Sequence, residues 1–158
     1  MAAIPDIQKR VFEHSSIFAT TMGKMMEFHE KSGPAQLSPP PIFVRVHEDS
    51  RTSLTQGDLR FTLWVGPIPI KWLAHHEAGP SPTSFADLMI EGPMAYWRHE
   101  HIFTQEATGV RLTDRVTLAH KTGLQGIFTH LMFDGLPLRI LFLFRHLKTR
   151  WALGRSKN

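Results

Sequence analysis

Apolar and polar residues alternate along much of the chain with a period of two, and Gly and Pro interrupt the alternation at short intervals. Lys9 to Ser16 reads as a first strand. Thr20 and Thr21 then stand where a helix cap belongs, and Met22, Met25, Met26 and His29 fall on one face of a helix running to Glu30. Ser32 to Pro41 holds Gly33, Pro34 and three consecutive prolines, so the chain can form at most a helical turn there before it extends. Strands follow at Ile42 to Glu48, Asp58 to Val65, Ile68 to Glu77, Phe85 to Glu91, Tyr96 to Gln105 and Val110 to Leu118, separated by turn residues. From Leu138 the period changes, with Leu138, Leu141, Phe144 or Arg145, and Trp151 recurring at helical spacing up to Leu153. Strand, helix, six strands and a long closing helix make an α+β layout: an antiparallel sheet covered by a terminal helix, as one domain over residues 1–158. A curved sheet gripping one helix leaves concave space between the layers, where small molecules bind.

The 158 residues suffice for a sizeable core without staples. The absence of cysteine excludes disulfides, thiolate zinc sites and cysteine nucleophiles. Met1 to Arg10 lacks a signal-peptide pattern, and the longest apolar stretch, Leu136 to Phe144, is broken by Pro137 and Arg139. These features predict a cytoplasmic protein with no transmembrane segment. A net charge of +4 does not by itself argue for nucleic acid, and the 10 histidines make it pH-dependent. Glycine-rich phosphate loops, a Walker lysine and a Gly-x-Ser-x-Gly elbow are missing, which argues against nucleotide-dependent chemistry and serine hydrolysis.

Met26-Glu27-Phe28-His29-Glu30, Leu37-Ser38-Pro39-Pro40, the run Glu91 to Phe103, Arg111 to Val116, and Phe144-Arg145-His146 with Thr149-Arg150 occur in an order that resembles one group of proteins. It is the START and Bet v 1-like superfamily, and within it the bacterial proteins labelled polyketide cyclase/dehydrase. The resemblance runs from about Phe12 to Leu153. It implies a helix-grip fold, in which a seven-stranded antiparallel sheet curves around a long C-terminal helix and encloses an apolar cavity. Similar domains are sometimes joined to a nucleotide-sugar-epimerase-like domain, which is not expected within this sequence. Gly123 to Gly135 fits the pattern least well.

Strand alternation puts Trp97, His99, His101 and Phe103 on one face, inward by its aromatics, and Arg98, Glu100 and Ile102 on the other. A hairpin loop at Glu106 to Gly109 sets Gln105 against Val110, Phe103 against Leu112, His101 against Asp114 and His99 against Val116. A histidine then faces a carboxylate on an apolar surface. Asp114 would orient His101 as an acid/base or as a partner for a ligand carbonyl, with His99 beside it, or the pair would simply satisfy each other in the sheet. His99, His101 and Asp114 also have the composition of a two-histidine, one-carboxylate metal site, although a directly paired His101 and Asp114 would not converge on an ion.

The remaining groups read more plainly. A turn at Gly79 to Thr83 sets His75 against Asp87 and Lys71 against Glu91 on a solvated face, with Trp72, Ala74, Ala86, Leu88 and Ile90 behind. His29 and the methionine stripe read as core or cavity edge. Arg145, His146, Lys148, Arg150, Arg155 and Lys157 read as a solvated basic end complementing the helix dipole.

These readings converge on a protein that binds an apolar small molecule of polyketide, lipid or isoprenoid type, without a cofactor. Trp72, Leu88, Ile90, Trp97, Phe103, Leu112, Val116, Leu141 and Phe144 would form the lining, with His99, His101 and Asp114 as its polar groups. The alternatives are a cyclase/dehydrase-type enzyme using the same polar groups, a metal-dependent enzyme, and an interaction protein with a collapsed cavity and a large apolar outer patch. Association into a homodimer is left open.

Overall fold

The structure is a computed structural model that describes residues 7–155. The chain order is β1 (Arg10–Phe18), α1 (Met22–Lys31), β2 (Ile42–Asp49), β3 (Gly57–Val65), β4 (Ile68–Ala78), β5 (Ser84–Glu91), β6 (Tyr96–Glu106), β7 (Gly109–Ala119), α2 (Gly123–Phe133) and α3 (Gly135–Arg155). The seven strands form one antiparallel sheet in the order β1-β7-β6-β5-β4-β3-β2. A meander from β2 to β7 is closed by β1, which crosses over to pair with β7, and α3 lies along the concave face. This is the helix-grip arrangement that the resemblance implies.

Local chemistry sets the elements. The Thr21 side chain accepts the Lys24 N–H at 3.3 Å and caps α1, whose buried face is Met25 and His29. At the tight β6–β7 turn, Gly109 has φ +148°, and a Cβ there would stand 1.9 Å from the Phe18 carbonyl oxygen, so only glycine lets β1 approach. The β6–β7 register agrees with the expected one: Phe103 faces Leu112, His101 faces Asp114 and His99 faces Val116.

Two expectations are corrected. Residues 123–135, given no element by periodicity, include α2, whose Gly126 packs so tightly that a Cβ would meet the Lys121 carbonyl oxygen at 1.9 Å. Its glycines mask the helical signal, and tertiary packing of Thr129 and Phe133 supplies what propensity lacks. The β4–β5 register differs by one residue at Asp87 and, past a bulge, by two at Glu91. His76, not His75, faces Asp87, and Leu73, not Lys71, pairs with Glu91 beside a bulge at Leu73/Ala74. A slip of one residue exchanges the two faces of a strand, so Asp87 points inward while Leu88 turns out.

The buried apolar side chains form two clusters. One packs Phe61, Trp72, Trp97, Val116, Phe133, Leu138 and Phe142 under α2 and the start of α3. The other packs Phe18, Met25, Leu54, Phe85, Phe103, Leu112 and Leu153 beneath α1 and the end of α3. The α2–α3 junction is tied to the sheet through Asp134, whose Oδ2 lies 3.0 Å from both Arg10 Nη1 and His120 Nε2, while Oδ1 accepts the Gly135 N–H at 2.7 Å.

The two sides of α3 differ sharply: Phe142 is fully buried, and Leu143 is 51% exposed. Phe142→Ala is therefore expected to cost about 3–5 kcal/mol and Leu143→Ala less than about 0.5 kcal/mol, measured by chemical denaturation. Equal costs would place α3 in a different rotation on the sheet.

Candidate functional site

Between the two apolar clusters lies a polar layer. β6 contributes His99 and His101, β7 contributes Asp114, β5 contributes Asp87, and α3 contributes His146. Asp114 is buried, and its oxygens accept from two imidazoles: His99 Nε2 donates to Oδ1 at 2.7 Å and His146 Nε2 donates to Oδ2 at 2.7 Å. His146 Nδ1 in turn accepts the Ser16 hydroxyl proton at 2.8 Å. The polar layer therefore joins β1, β6, β7 and α3.

His101 is placed differently from its expected pairing. It sits opposite Asp114 in the register, yet its hydrogen bond goes to Asp87, from Nε2 to Oδ2 at 3.2 Å. Its Nδ1 is 3.2 Å from Asp114 Oδ1, near enough for charge attraction but outside hydrogen-bond geometry. Burial opposes a charge on His101, but the two carboxylates outweigh it and raise the pKa to about 9. The carboxylates respond in kind. Burial would raise the pKa of both, but the flanking imidazoles hold Asp87 and Asp114 well below the usual carboxylate range. His99 is pushed down, first by burial and then by the charge on His101, so it is neutral. His29 is also neutral, lowered to about 4 mainly by burial, with Nδ1–H donating to the Met25 carbonyl at 2.9 Å.

Asp87, His99, His101 and His29 line a cavity of about 130 Å³, whereas Asp114 and His146 are not on its wall. Leu59, Phe61, Trp72, Trp97, Phe133 and Leu141 from the first cluster and Leu54 and Phe85 from the second line it together with Arg51, Asp87, His99, His101, His29, His76 and Arg145. Ser32, Gly33, Pro34 and Leu37, from the segment after α1, complete the wall. Arg145 donates from Nε to the Leu37 carbonyl at 3.2 Å, and among the described residues its other N–H groups have no hydrogen-bond partner.

Of the residues expected in the lining, Trp72, Trp97, His99, His101 and Leu141 are on the cavity wall. Phe103 and Leu112 are packed in the second apolar cluster, and Val116 is buried in the first. Leu88 and Ile90 are turned away by the β4–β5 register, Ile90 being 54% exposed. Phe144 lies beside the buried face of α3, with Lys148 Nζ 5.8 Å from its ring centre. Asp87, Arg145 and His146 were missed. Arg145 and His146 were assigned to a solvated basic end, but the spacing Leu138, Phe142, Arg145/His146, Thr149 and Leu153 marks the inward face and was the available signal. Lys157, assigned to the same end, lies outside the described residues.

Asp114 is not among the residues whose ligand atoms converge. Asp87, His99 and His101 present such atoms within 4.8 Å of one another, while both Asp114 oxygens are engaged by imidazoles. The set of His99, His101 and Asp114 is therefore not the geometric one.

No protein-family model matches the sequence. No curated protein matches it significantly. Solved structures do match. A START superfamily protein from Mycobacterium smegmatis superposes with a TM-score of 0.66 at 7% identity, covering 93% of this chain and 99% of that one. The ZhuI aromatase/cyclase from Streptomyces sp. R1128 gives 0.62 at 16% identity, covering 95% and 94%. A nucleoside-diphosphate sugar epimerase from Corynebacterium glutamicum gives 0.66 at 23% identity, covering 90% of this chain but 29% of that larger one. The chain thus has the START and Bet v 1-like fold.

The ionisation pattern sets a stability profile. His101, whose pKa is raised above the ordinary 6.5, stabilises fully below about pH 6.5, and that contribution is lost as pH rises through about 9. His29, lowered to about 4, favours the folded state above pH 6.5 and opposes it as pH falls toward 4. The unfolding temperature is expected to peak near pH 6.5, and His101→Gln to flatten the alkaline side. An NMR titration should place the His101 midpoint near pH 9, and Asp87→Asn should lower it. A midpoint matching free imidazole, unmoved in that variant, would remove the coupling.

Proposed function

We propose that the chain binds an apolar small molecule of polyketide, lipid or isoprenoid type that carries one polar end. The observation that carries this reading is a cavity wall built mostly of aromatic and aliphatic side chains with a few charged and imidazole groups set into it. Trp72, Trp97 and Leu141 would enclose the apolar body. Arg145, whose Nη groups have no hydrogen-bond partner among the described residues, would donate to a carbonyl, hydroxyl or carboxylate, and neutral His29, with its Nδ1 proton committed to Met25, would offer Nε2 as an acceptor. A free volume of about 130 Å³ holds roughly four waters at about 30 Å³ each, which suits a compact ring system or the buried head of a longer molecule. We place the protein in the cytoplasm; no single described helix is long and apolar enough to cross a membrane.

A second reading as an enzyme has its own support in His101. A charged imidazole beside an ionised carboxylate can give a proton to a carbonyl or leaving hydroxyl, while Asp87 orients it, which is the chemistry of cyclisation and dehydration. The aromatase/cyclase with the same fold makes such chemistry a reasonable assay.

Native mass spectrometry of the untagged protein, followed by denaturing extraction, is the direct test. A stoichiometric apolar molecule is expected, and Arg145→Met should lower its retention at least tenfold with the fold intact. An empty protein whose cavity excludes aromatic and acyl probes would refute binding. If His101→Gln abolishes turnover but keeps affinity, the enzyme reading holds; parallel loss of both favours binding alone.

A further inference from the structure

α3 carries two apolar stripes. The inner one meets the sheet. The outer one consists of Leu136, Ile140, Leu143, Leu147 and Trp151, all more than half exposed. At about 100° per residue these five fall within an arc of about 80°. α2 continues the surface with Leu124, Ile127 and Leu131, of which Leu124 is 85% exposed. An apolar surface of this length on a domain that already has a buried core needs an occupant.

Charge selects among the occupants. From Gly123 to Arg155 the one acidic residue is Asp134, and it is buried against Arg10 and His120. The same spacing puts Arg139 and Arg150 along one border of the stripe and Lys148 along the other, with Lys121 just before α2. A second copy would bring cationic border against cationic border. The bent pair Gly123–Phe133 and Gly135–Gly154 has the length and composition of a broken membrane span, but its inner face is committed: Phe142 is fully buried and His146 is bonded to Asp114 and Ser16. A surface that is apolar along its centre, basic at its borders and unable to leave the sheet suits the interface of a bilayer, with acyl chains under the leucines and anionic headgroups at the lysine and arginines.

We propose that the outer face of α2 and α3 docks the protein peripherally on anionic lipid bilayers. The inference rests on the outer surface alone and holds whatever the cavity contains. Co-sedimentation with phosphatidylcholine vesicles, with and without 30% phosphatidylglycerol (~30% anionic lipid), tests it. Binding is expected to the anionic vesicles, to weaken severalfold when salt is raised from about 0.05 to 0.5 M, and to fall at least tenfold in L143E/L147E. R139E/K148E should lose the anionic preference. Tryptophan emission should shift blue on binding, and the shift should shrink in Trp151→Phe. Thermal unfolding and the His101 titration of each variant show whether the fold is kept, since these side chains lie on the solvent side. The proposal is overturned by no binding to anionic vesicles at low salt, or by binding that L143E/L147E leaves unchanged. A wild-type dimer that L143E/L147E dissociates would instead assign the stripe to a second copy.

Discussion

The ionised carboxylate of Asp114 in the middle of the molecule constrains everything around it. Burying such a charge costs several kcal/mol unless hydrogen bonds replace the lost water. Here two imidazole N–H groups at 2.7 Å do so, with the charge on His101 at 3.2 Å as a third contribution. The partners come from β6 and α3, so meeting the needs of one carboxylate fixes the height and rotation of the helix on the sheet. His146 passes the requirement on to β1 through Ser16. The two apolar clusters then pack on either side of this polar layer, and the cavity lies beside it with Leu141 and Arg145 of α3 on its wall.

The same constraint sets the electrostatics. Asp87 and Asp114 supply two negative charges, and His101 and Arg145 answer them. Burial pulls the Arg145 pKa down from its ordinary value, with the two carboxylates acting against that fall. An entering polar group therefore meets fixed donors that need no rearrangement, which is the condition under which binding or proton transfer is efficient. His99 and His29, neutral by burial, avoid adding a third positive charge that would repel His101.

Much of this was legible in the sequence where one period and one turn decided the geometry. The β6–β7 hairpin is the clearest case, because the alternation from Trp97 to Phe103 and the position of Gly109 fix its register, and the two histidines and Asp114 follow. The β4–β5 hairpin was not legible: its loop permits two registers that differ by one residue, and the bulge at Leu73/Ala74 is a tertiary adjustment. That single slip hid Asp87, the carboxylate that bonds His101, and sent Leu88 and Ile90 to the wrong face. α2 escaped notice because Gly126 serves close packing and Gly123 takes a positive φ at the helix start, and neither signals a helix.

α3 shows why the rest was hard to read. A helix with one apolar stripe announces its buried side by periodicity. α3 has two opposed stripes, so leucines recur on both faces and the period cannot say which one meets the sheet. The polar residues decide it: Arg145, His146 and Thr149 are inside, although composition alone would put them in solvent. Their burial is possible only because Asp114 waits opposite His146 and the Leu37 carbonyl opposite Arg145. Inward polar groups thus free outward positions to be apolar without weakening the grip on the sheet. One helix can close the cavity with one face and offer a lipid-seeking surface with the other.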